Sequence, residues 1–251
     1  MILVGFVLLI AGNWKLNCNI EEATNLSSLI IKYLVNKKLN CDIAIFPSHI
    51  CLDSVNKIVK NSILSLGAQD CSMHKSGAYT GDVSANMLFD TGCKYVIVGH
   101  SERRLGKLES NKDILCKANS ALDSNLIPII CVGEDSKSRD DGKALEVIKK
   151  QLDESVPKNI HKNNCVLAYE PIWAIGSGKI PDNASINEML NMIKKWLSDN
   201  KMDNSIKVLY GGSVNKGNAK EIFSCTNIGG LLIGGVSLKA EEFSEICLMV
   251  N

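Results

Sequence analysis

The feature that most constrains this chain is an eightfold alternation of short apolar runs with longer amphipathic segments. The runs are Val7–Ala11, Asp42–Phe46, Leu64–Ala68, Tyr95–Val98, Ile127–Val132, Cys165–Tyr169, Lys207–Tyr210 and Gly230–Ile233. They are continuous aliphatic or β-branched stretches, the pattern of parallel strands covered on both faces. The segments between them carry helix signals. Ile20–Lys38 follows Asn19 with Glu22 at capping-box spacing. Ser185–Asn200 and Ser237–Met249 each open at an N-cap serine. Ser84–Asp90 stops at Thr91-Gly92, where glycine takes the left-handed C-terminal position. Eight βα units in 251 residues, with no Pro/Gly/Ser-rich linker, predict one closed (β/α)8 TIM barrel spanning residues 1–251 as a single domain. A doubly wound open sheet would need a glycine-rich fingerprint after its first strand, and Ala11-Gly12-Asn13-Trp14-Lys15 does not supply it.

Charge removes two classes of partner. Lys plus Arg number 28 against 27 for Asp plus Glu, a formal charge of +1. No basic excess is present for a nucleic-acid backbone or an anionic membrane. Pairs such as Lys149-Lys150 and Lys194-Lys195 read as solvated helix faces. The ten cysteines are scattered, with no C-x-x-C pair. They read as free thiols in a reducing, cytoplasmic compartment. The apolar start Met1–Ala11 has no positive residues before it and is too short to span a bilayer, so it reads as a first strand.

In a parallel barrel, working groups gather at the C-terminal strand ends. Those ends carry Asn13, Trp14 and Lys15 after the first strand, and His100, Ser101, Glu102, Arg103 and Arg104 after the fourth. Glu170-Pro171 follows the sixth, Gly211-Gly212-Ser213 the seventh and Gly234-Gly235-Val236-Ser237 the eighth. Singly each is ordinary, since a lone Lys, His or Glu at a strand end is usually structural. Together they place a cation, an imidazole, a carboxylate and two glycine-lined amide clusters around one mouth. The amides of Ser213 and of Gly234-Gly235 suit an anion, and these loops are where the fold commonly holds phosphate. No Walker motif, dinucleotide fingerprint or cluster of metal ligands appears, so the phosphate is assigned to a substrate and no cofactor or metal is expected.

Four of these segments resemble signatures of the triosephosphate isomerase family, in its order: Asn13-Trp14-Lys15, Gly99 to Arg104, Ala168 to Gly176, and Tyr210-Gly211-Gly212-Ser213. Gly67-Ala68-Gln69-Asp70 and Gly77 to Asp82 are similar to its third loop. The resemblance implies an aldose–ketose isomerase that moves a proton between the adjacent carbons of a triose phosphate, without a cofactor. It implies Glu170 as base, His100 as a neutral electrophile with Ser101 opening the helix behind it, and Lys15 as fixed charge supported by Asn13. Glu102 would steer Lys15, and Tyr210 would lie in the supporting layer. Pro171–Gly178 would form a lid, with Lys179-Ile180-Pro181 as its far hinge. Gly176, Ser213, Gly234 and Gly235 would bind the phosphate. Thr80 would insert beside a neighbour's first-strand lysine, making a homodimer.

Three departures stand out. Lys194 and Gly229 occupy positions where the family pairs an arginine with an aspartate. Val236 stands where alanine is common and would crowd the phosphate site. Met1–Phe6 has no evident counterpart and would reflect choice of start site. A barrel that binds triose phosphates without turnover would be expected to lack Lys15, His100 or Glu170. A barrel aldolase would need an internal Schiff-base lysine, and an epimerase a metal or paired acids.

Overall fold

The computed structural model describes residues 7–175 and 181–250. Met1–Phe6 therefore lies outside the described residues. Eight strands run β1 Leu8–Asn13, β2 Cys41–Phe46, β3 Leu64–Ala68, β4 Tyr95–Val98, β5 Ile127–Val132, β6 Val166–Tyr169, β7 Lys207–Tyr210 and β8 Gly230–Ile233. All pair in parallel, in sequence order, and β8 returns to β1 to close the barrel. Among the described residues the helices are α1 Ile20–Leu34, α2 Leu52–Val59, α3 Ala85–Asp90, α4 Ser101–Gly106, α5 Asn111–Asp123, α6 Ser136–Asp140, α7 Ala144–Ser155, α8 Asn183–Asp199, α9 Ala219–Ile222 and α10 Ala240–Leu248. No helix of the described residues is long and apolar enough to cross a membrane.

Side chains alternate between the two faces of each strand. One set fills the barrel: Leu9 and Ala11, Ala44 and Phe46, Tyr95 and Ile97, Ile129 and Cys131, Val166 and Ala168, Leu209, and Leu232. The intervening residues, such as Ile10, Ile43, Ile45, Val96, Val98 and Ile130, join the layer between barrel and helices. This double burial explains why the runs read as continuously apolar. At β3 the interior position is Gly67, because a Cβ there would sit 2.2 Å from Phe46 Cε1. Phe46 fills the volume that Gly67 vacates.

The expected elements are present; β1, β2 and β6 each begin one residue away from expectation, β1 runs on to Asn13 rather than Ala11, and three helical boundaries shift further. α1 stops at Leu34 rather than Lys38, because Asn36 turns left-handed at φ 63° and Lys37 N–H folds back to the Leu34 carbonyl. α8 begins before Ser185: Asp182 is the cap, and its carboxylate accepts the Ser185 N–H at 2.7 Å. The last segment divides into a 3-10 turn, Gly235–Leu238, and α10. Ser237 donates its hydroxyl to the Gly234 carbonyl, 2.7 Å, so it serves the turn rather than capping α10. The Asn19–Glu22 capping box forms in both directions, and Gly92 takes φ +92° as its place after α3 requires.

The Lys194–Gly229 departure has a local solution at the opposite end of the barrel from the strand C-termini. Lys194 Nζ donates to the carbonyls of Asn204 and Ile206, at 2.8 and 2.6 Å, and burial lowers its pKa. Gly229 packs against β7 so closely that a Cβ would lie 2.5 Å from Val208 N. No side chain fits there on this backbone.

Closure at β8–β1 generates a prediction. Gly230 has φ +140°, and a Cβ on it would meet the Leu9 carbonyl oxygen at 1.9 Å. Gly230→Ala is expected to destabilise the protein by about 3 kcal/mol or more, through backbone strain and a broken seam. Urea unfolding followed by circular dichroism checks this; a loss within about 0.5 kcal/mol, the range of ordinary surface substitutions, would contradict it.

Candidate active site

Extending the interior parity by two residues beyond the last lumen-filling position of each strand gives the ring of positions around the mouth. On β1 it reaches Asn13, on β3 Gln69, on β6 Glu170, and on β5, β7 and β8 it reaches Gly133, Gly211 and Gly234. Asn13, Lys15, His100, Glu170, Ser213 and Gly234–Gly235 all line one cavity of about 330 Å³.

Glu170 is 2% exposed. Its backbone is locked to β5 by its N–H to the Val132 carbonyl, 2.8 Å. Two glycines make its room: a Cβ at Gly133 would lie 1.8 Å from the Glu170 carbonyl oxygen, and one at Gly211 would lie 2.8 Å from its Cγ. The carboxylate accepts the Ser101 N–H at Oε2, 3.1 Å, and faces His100 Nε2 at Oε1, 3.1 Å. Behind it, Cys131 is fully buried. Burial and the Glu170 carboxylate both push its thiol pKa well above the usual value, so it stays protonated.

His100 is the residue before α4, and its Nδ1 accepts the Glu102 backbone N–H, 3.2 Å. A nitrogen that accepts from an N–H carries no proton, so the proton of this ring sits on Nε2, pointing at Glu170. Lys15 adopts φ +56°, an uncommon conformation for a non-glycine residue. Asn13 Oδ1 accepts its N–H at 3.0 Å, and Gln69 Nε2 donates to its carbonyl at 2.8 Å and to the Phe46 carbonyl at 2.9 Å. Its ammonium lies 2.5 Å from Glu102 Oε1, and the methylene before it packs over Gly234, 3.2 Å from where a Cβ would stand.

The segment after Glu170 is pinned on both flanks. The buried Glu134 carboxylate accepts Tyr169 OH at 3.1 Å and Trp173 Nε1 at 2.9 Å, with Arg139 Nη1 3.4 Å away. The Glu134 carbonyl also accepts the Ile172 N–H, and Ser213 Oγ donates to the Ala174 carbonyl at 2.6 Å. Val236 and Lys239 also line the cavity.

Residues 8–250 match the family model described as triosephosphate isomerase. The chain is 43% identical over 244 residues to triosephosphate isomerase of Hahella chejuensis, covering 95% of this chain and 96% of that one. It is 39% identical to that of Magnetococcus marinus over 246 residues, covering 95% and 96%. The solved structure of triosephosphate isomerase from Bartonella henselae superposes with a TM-score of 0.89 at 34% identity, covering 96% of this chain and 98% of that one. The chain belongs to the triosephosphate isomerase family. It is an enzyme of that family, an isomerase of triose phosphates on a TIM barrel.

Among triosephosphate isomerase residues expected from sequence, Asn13, Lys15, His100, Glu170, Ser213, Gly234 and Gly235 meet at this mouth. Ser101 and Glu102 stand directly behind it through their contacts with Glu170, His100 and Lys15. Tyr210 is fully buried, its hydroxyl lying beneath Gly212, 2.1 Å from where a Cβ would stand. Gly176 lies outside the described residues, as do Gly178, Lys179 and Ile180 of the expected lid. Thr80 is away from the cavity, on an exposed arm. Three supporting residues were given no role from sequence. Gln69 holds Lys15, Glu134 holds Trp173, and Arg104 braces the barrel wall behind Glu170. Arg104 donates to the Gly99 and Cys131 carbonyls, each at 2.9 Å, and to Asn111 Oδ1 at 2.5 Å. The interior parity of β3 pointed to Gln69; nothing local in the sequence marked the other two.

The His100 arrangement is directly observable. Nitrogen-15 NMR of the labelled ring at neutral pH is expected to show a protonated Nε2 and a bare Nδ1. A ring protonated on both nitrogens, or on Nδ1 alone, would contradict the bond from Glu102.

Proposed function

We propose that this chain interconverts dihydroxyacetone phosphate and D-glyceraldehyde 3-phosphate through an enediolate, as a cytoplasmic enzyme of glycolysis and gluconeogenesis. The observation that carries the residue assignment is the convergence of the Glu170 carboxylate, His100 Nε2 and the Lys15 side chain on one cavity floored by glycines. Isomerisation requires removing a carbon-bound proton beside a carbonyl, steadying the oxyanion that forms, and returning the proton to the next carbon. Glu170 takes and returns that proton. In exchanging its Ser101 N–H for the substrate, the carboxylate gives up a stabilising bond and becomes the more reactive base. A positioned base contributes on the order of 10²–10⁴-fold, so the remaining acceleration falls to electrostatics. His100 offers Nε2–H to the two substrate oxygens in turn, and Lys15 offers a charge that the Glu102 contact holds in place. The Ser213 and Gly234–Gly235 amides, with Gly176, hold the phosphate. Binding energy from that remote dianion is what fixes the reacting carbons.

The segment Pro171–Gly178 is proposed as the lid over this phosphate. Its near arm would swing when Trp173 exchanges its bond with Glu134 and Ala174 its bond with Ser213. Closure excludes water and protects the enediolate from losing phosphate.

The chain is proposed to work as one barrel domain paired with a second copy. Residues 75–82 form an exposed arm stiffened by stacking of His74 on Tyr79, with ring centroids 3.6 Å apart. Thr80 stands on it. Beside the arm's base lies a cavity of about 660 Å³, lined by exposed Ile50, Tyr79 and Leu108 and by an ion cluster of buried Asp70 and Lys117 with half-buried Arg103 and Glu109. Leu16, next to Lys15, is 98% exposed. The cavity receives the partner's arm, and the arm's Thr80 reaches the partner's Lys15.

Two outcomes are expected. Glu170→Asp withdraws the carboxylate by one methylene, and kcat should fall about 10²–10³-fold with KM nearly unchanged. A coupled assay with glyceraldehyde 3-phosphate measures this, with circular dichroism to show the fold intact; wild-type turnover in Glu170→Asp and Glu170→Ala alike would end the assignment. Second, sedimentation with parallel assays on dilution should show activity lost as dimers dissociate, and Thr80→Arg should shift dissociation to higher concentration. Fully active monomers would remove the arm from the mechanism.

A further inference from the structure

The established chemistry uses one end of the barrel, and a pair of cysteines at the other end has no part in it. All ten cysteines are free. Most are buried singly and inert: burial pushes Cys71 and Cys93 up to about 12. Cys41 and Cys247 lie against each other. Cys41 opens β2 and shares its parity with Ile43 and Ile45, so its side chain turns outward to the helical layer. Cys247 lies in the last turn of α10, fully buried, and Cys41 Sγ sits 3.5 Å from its carbonyl oxygen. The two side chains also influence each other's titration, Cys247 lowering the Cys41 pKa while burial and Cys41 raise that of Cys247. Asn40 Nδ2, beside Cys41, donates to the Val250 carbonyl at 3.4 Å, so the two chain segments meet at more than one point.

We propose that Cys41 and Cys247 are a redox modification site that closes reversibly into a disulfide, stapling β2 to α10, when the protein meets a small peroxide. Cys41 is the attacking sulfur, because it is half-buried and within reach of a small oxidant while Cys247 is sealed. Cys247 also holds the Cys41 thiol below its ordinary pKa, against the opposing effects of burial and of Asp42. The Asp42 charge is partly met by Lys207 Nζ at 2.9 Å. Cys41 thiolate attacks one peroxide oxygen; the O–O bond breaks, the sulfur becomes a sulfenic acid, and the departing hydroxide takes a proton to become water. Cys247 sulfur then attacks the sulfenic sulfur, its proton leaves with the S–O oxygen, and a second water departs. Two thiols are oxidised and one peroxide is reduced to two waters. A dithiol or glutathione reverses the bond by exchange.

The closed bond would join residues 206 positions apart in sequence, so it would constrain a very long loop of the unfolded chain. It would lie far from the strand C-termini and leave turnover unchanged. Cys18 and Cys51 provide an internal control. Cys51 Sγ lies 3.7 Å from the Cys18 carbonyl, a similar backbone contact, but there burial raises the Cys18 thiol pKa instead of leaving it lowered.

The test treats the full-length protein with hydrogen peroxide, alkylates the remaining thiols and maps non-reduced proteolytic peptides by mass spectrometry. The expected result is a Cys41–Cys247 linked peptide, lighter by two hydrogens than its reduced parts and abolished by dithiothreitol. The unfolding midpoint should rise by about 5 °C in oxidised wild type but not in oxidised Cys41→Ser, with kcat and KM unchanged. Recovery of Cys41 as a free alkylated thiol, a sulfinic acid or a mixed disulfide would overturn the proposal. So would linkage of Cys18 to Cys51 in preference, or a linked peptide with no rise in the midpoint.

Discussion

The hydrogen-bonded return of β8 to β1 is the constraint on which everything else rests. Once Leu9 pairs with Gly230 and Gly12 with Ile233, no strand edge is left open, and every residue is committed to the lumen or to the helical layer. That parity does not stop at the last hydrogen bond. It carries Asn13, Gln69 and Glu170 onto the rim, and it puts glycine at the rim positions of β5, β7 and β8. The site is thus the continuation of the core's packing rule into residues that no longer have a core to fill.

Glycine at those rim positions does two jobs at once. Gly133 and Gly211 make way for the Glu170 backbone and side chain, while Gly234 lets the Lys15 methylenes lie flat beneath the amides of Gly234–Gly235. A side chain at any of them would displace a group that faces the cavity. The polar groups then sit among supports that cannot relax. Arg104 ties β4 to β5, Gln69 holds the unusual backbone of Lys15, and the Glu102 N–H sets the proton on His100. The Arg104 and Gln69 supports are hydrogen bonds of 2.8–2.9 Å from half-buried side chains, the kind whose loss leaves an unpaired partner costing about 1–3 kcal/mol.

Strand positions and the residues at their C-terminal ends were legible in the sequence because both obey short-range rules. Continuous apolar runs mark doubly buried strands, and capping chemistry marked the start at Asn19 and the stop at Gly92 correctly. It failed at Ser185 and Ser237, for different reasons. Asp182 lies three residues ahead of Ser185 and offers a stronger acceptor, so the helix starts earlier. Ser237 has a nearer carbonyl, Gly234, in the tight turn that follows β8, and it answers that one. The supports were harder to see because they act across strands: Glu134 and Trp173 are 39 positions apart, and Gln69 and Lys15 are 54 apart. No local pattern records such pairs; only closure brings them together. The departure at Lys194 and Gly229 shows the same limit. The sequence announced a missing ion pair, whereas the fold had replaced it with carbonyl acceptors and a backbone drawn against β7.

Glu170 and Pro171 are consecutive, and this adjacency has mechanical meaning. The Glu170 backbone is fixed between β5 and β7, by its own N–H to Val132 and by the Gly211 N–H to Tyr169. Beyond Pro171 the Trp173 side chain bonds to Glu134, the Ile172 N–H to the Glu134 carbonyl and the Ala174 carbonyl to Ser213, while the Ala174 and Ile175 N–H groups bond within the segment's own turn, to Pro171 and Ile172. Stiffness therefore drops within three residues of the carboxylate. A segment that closes over a phosphate must break its side-chain bonds without moving the base's backbone, and the division falls at the place where that is possible. The proline at the junction keeps its φ near one value and has no N–H to offer, so the strand ladder ends there. In the proposed closure, motion beyond the junction would leave the Glu170 Cα with the barrel, held by its bonded neighbours on β5 and β7.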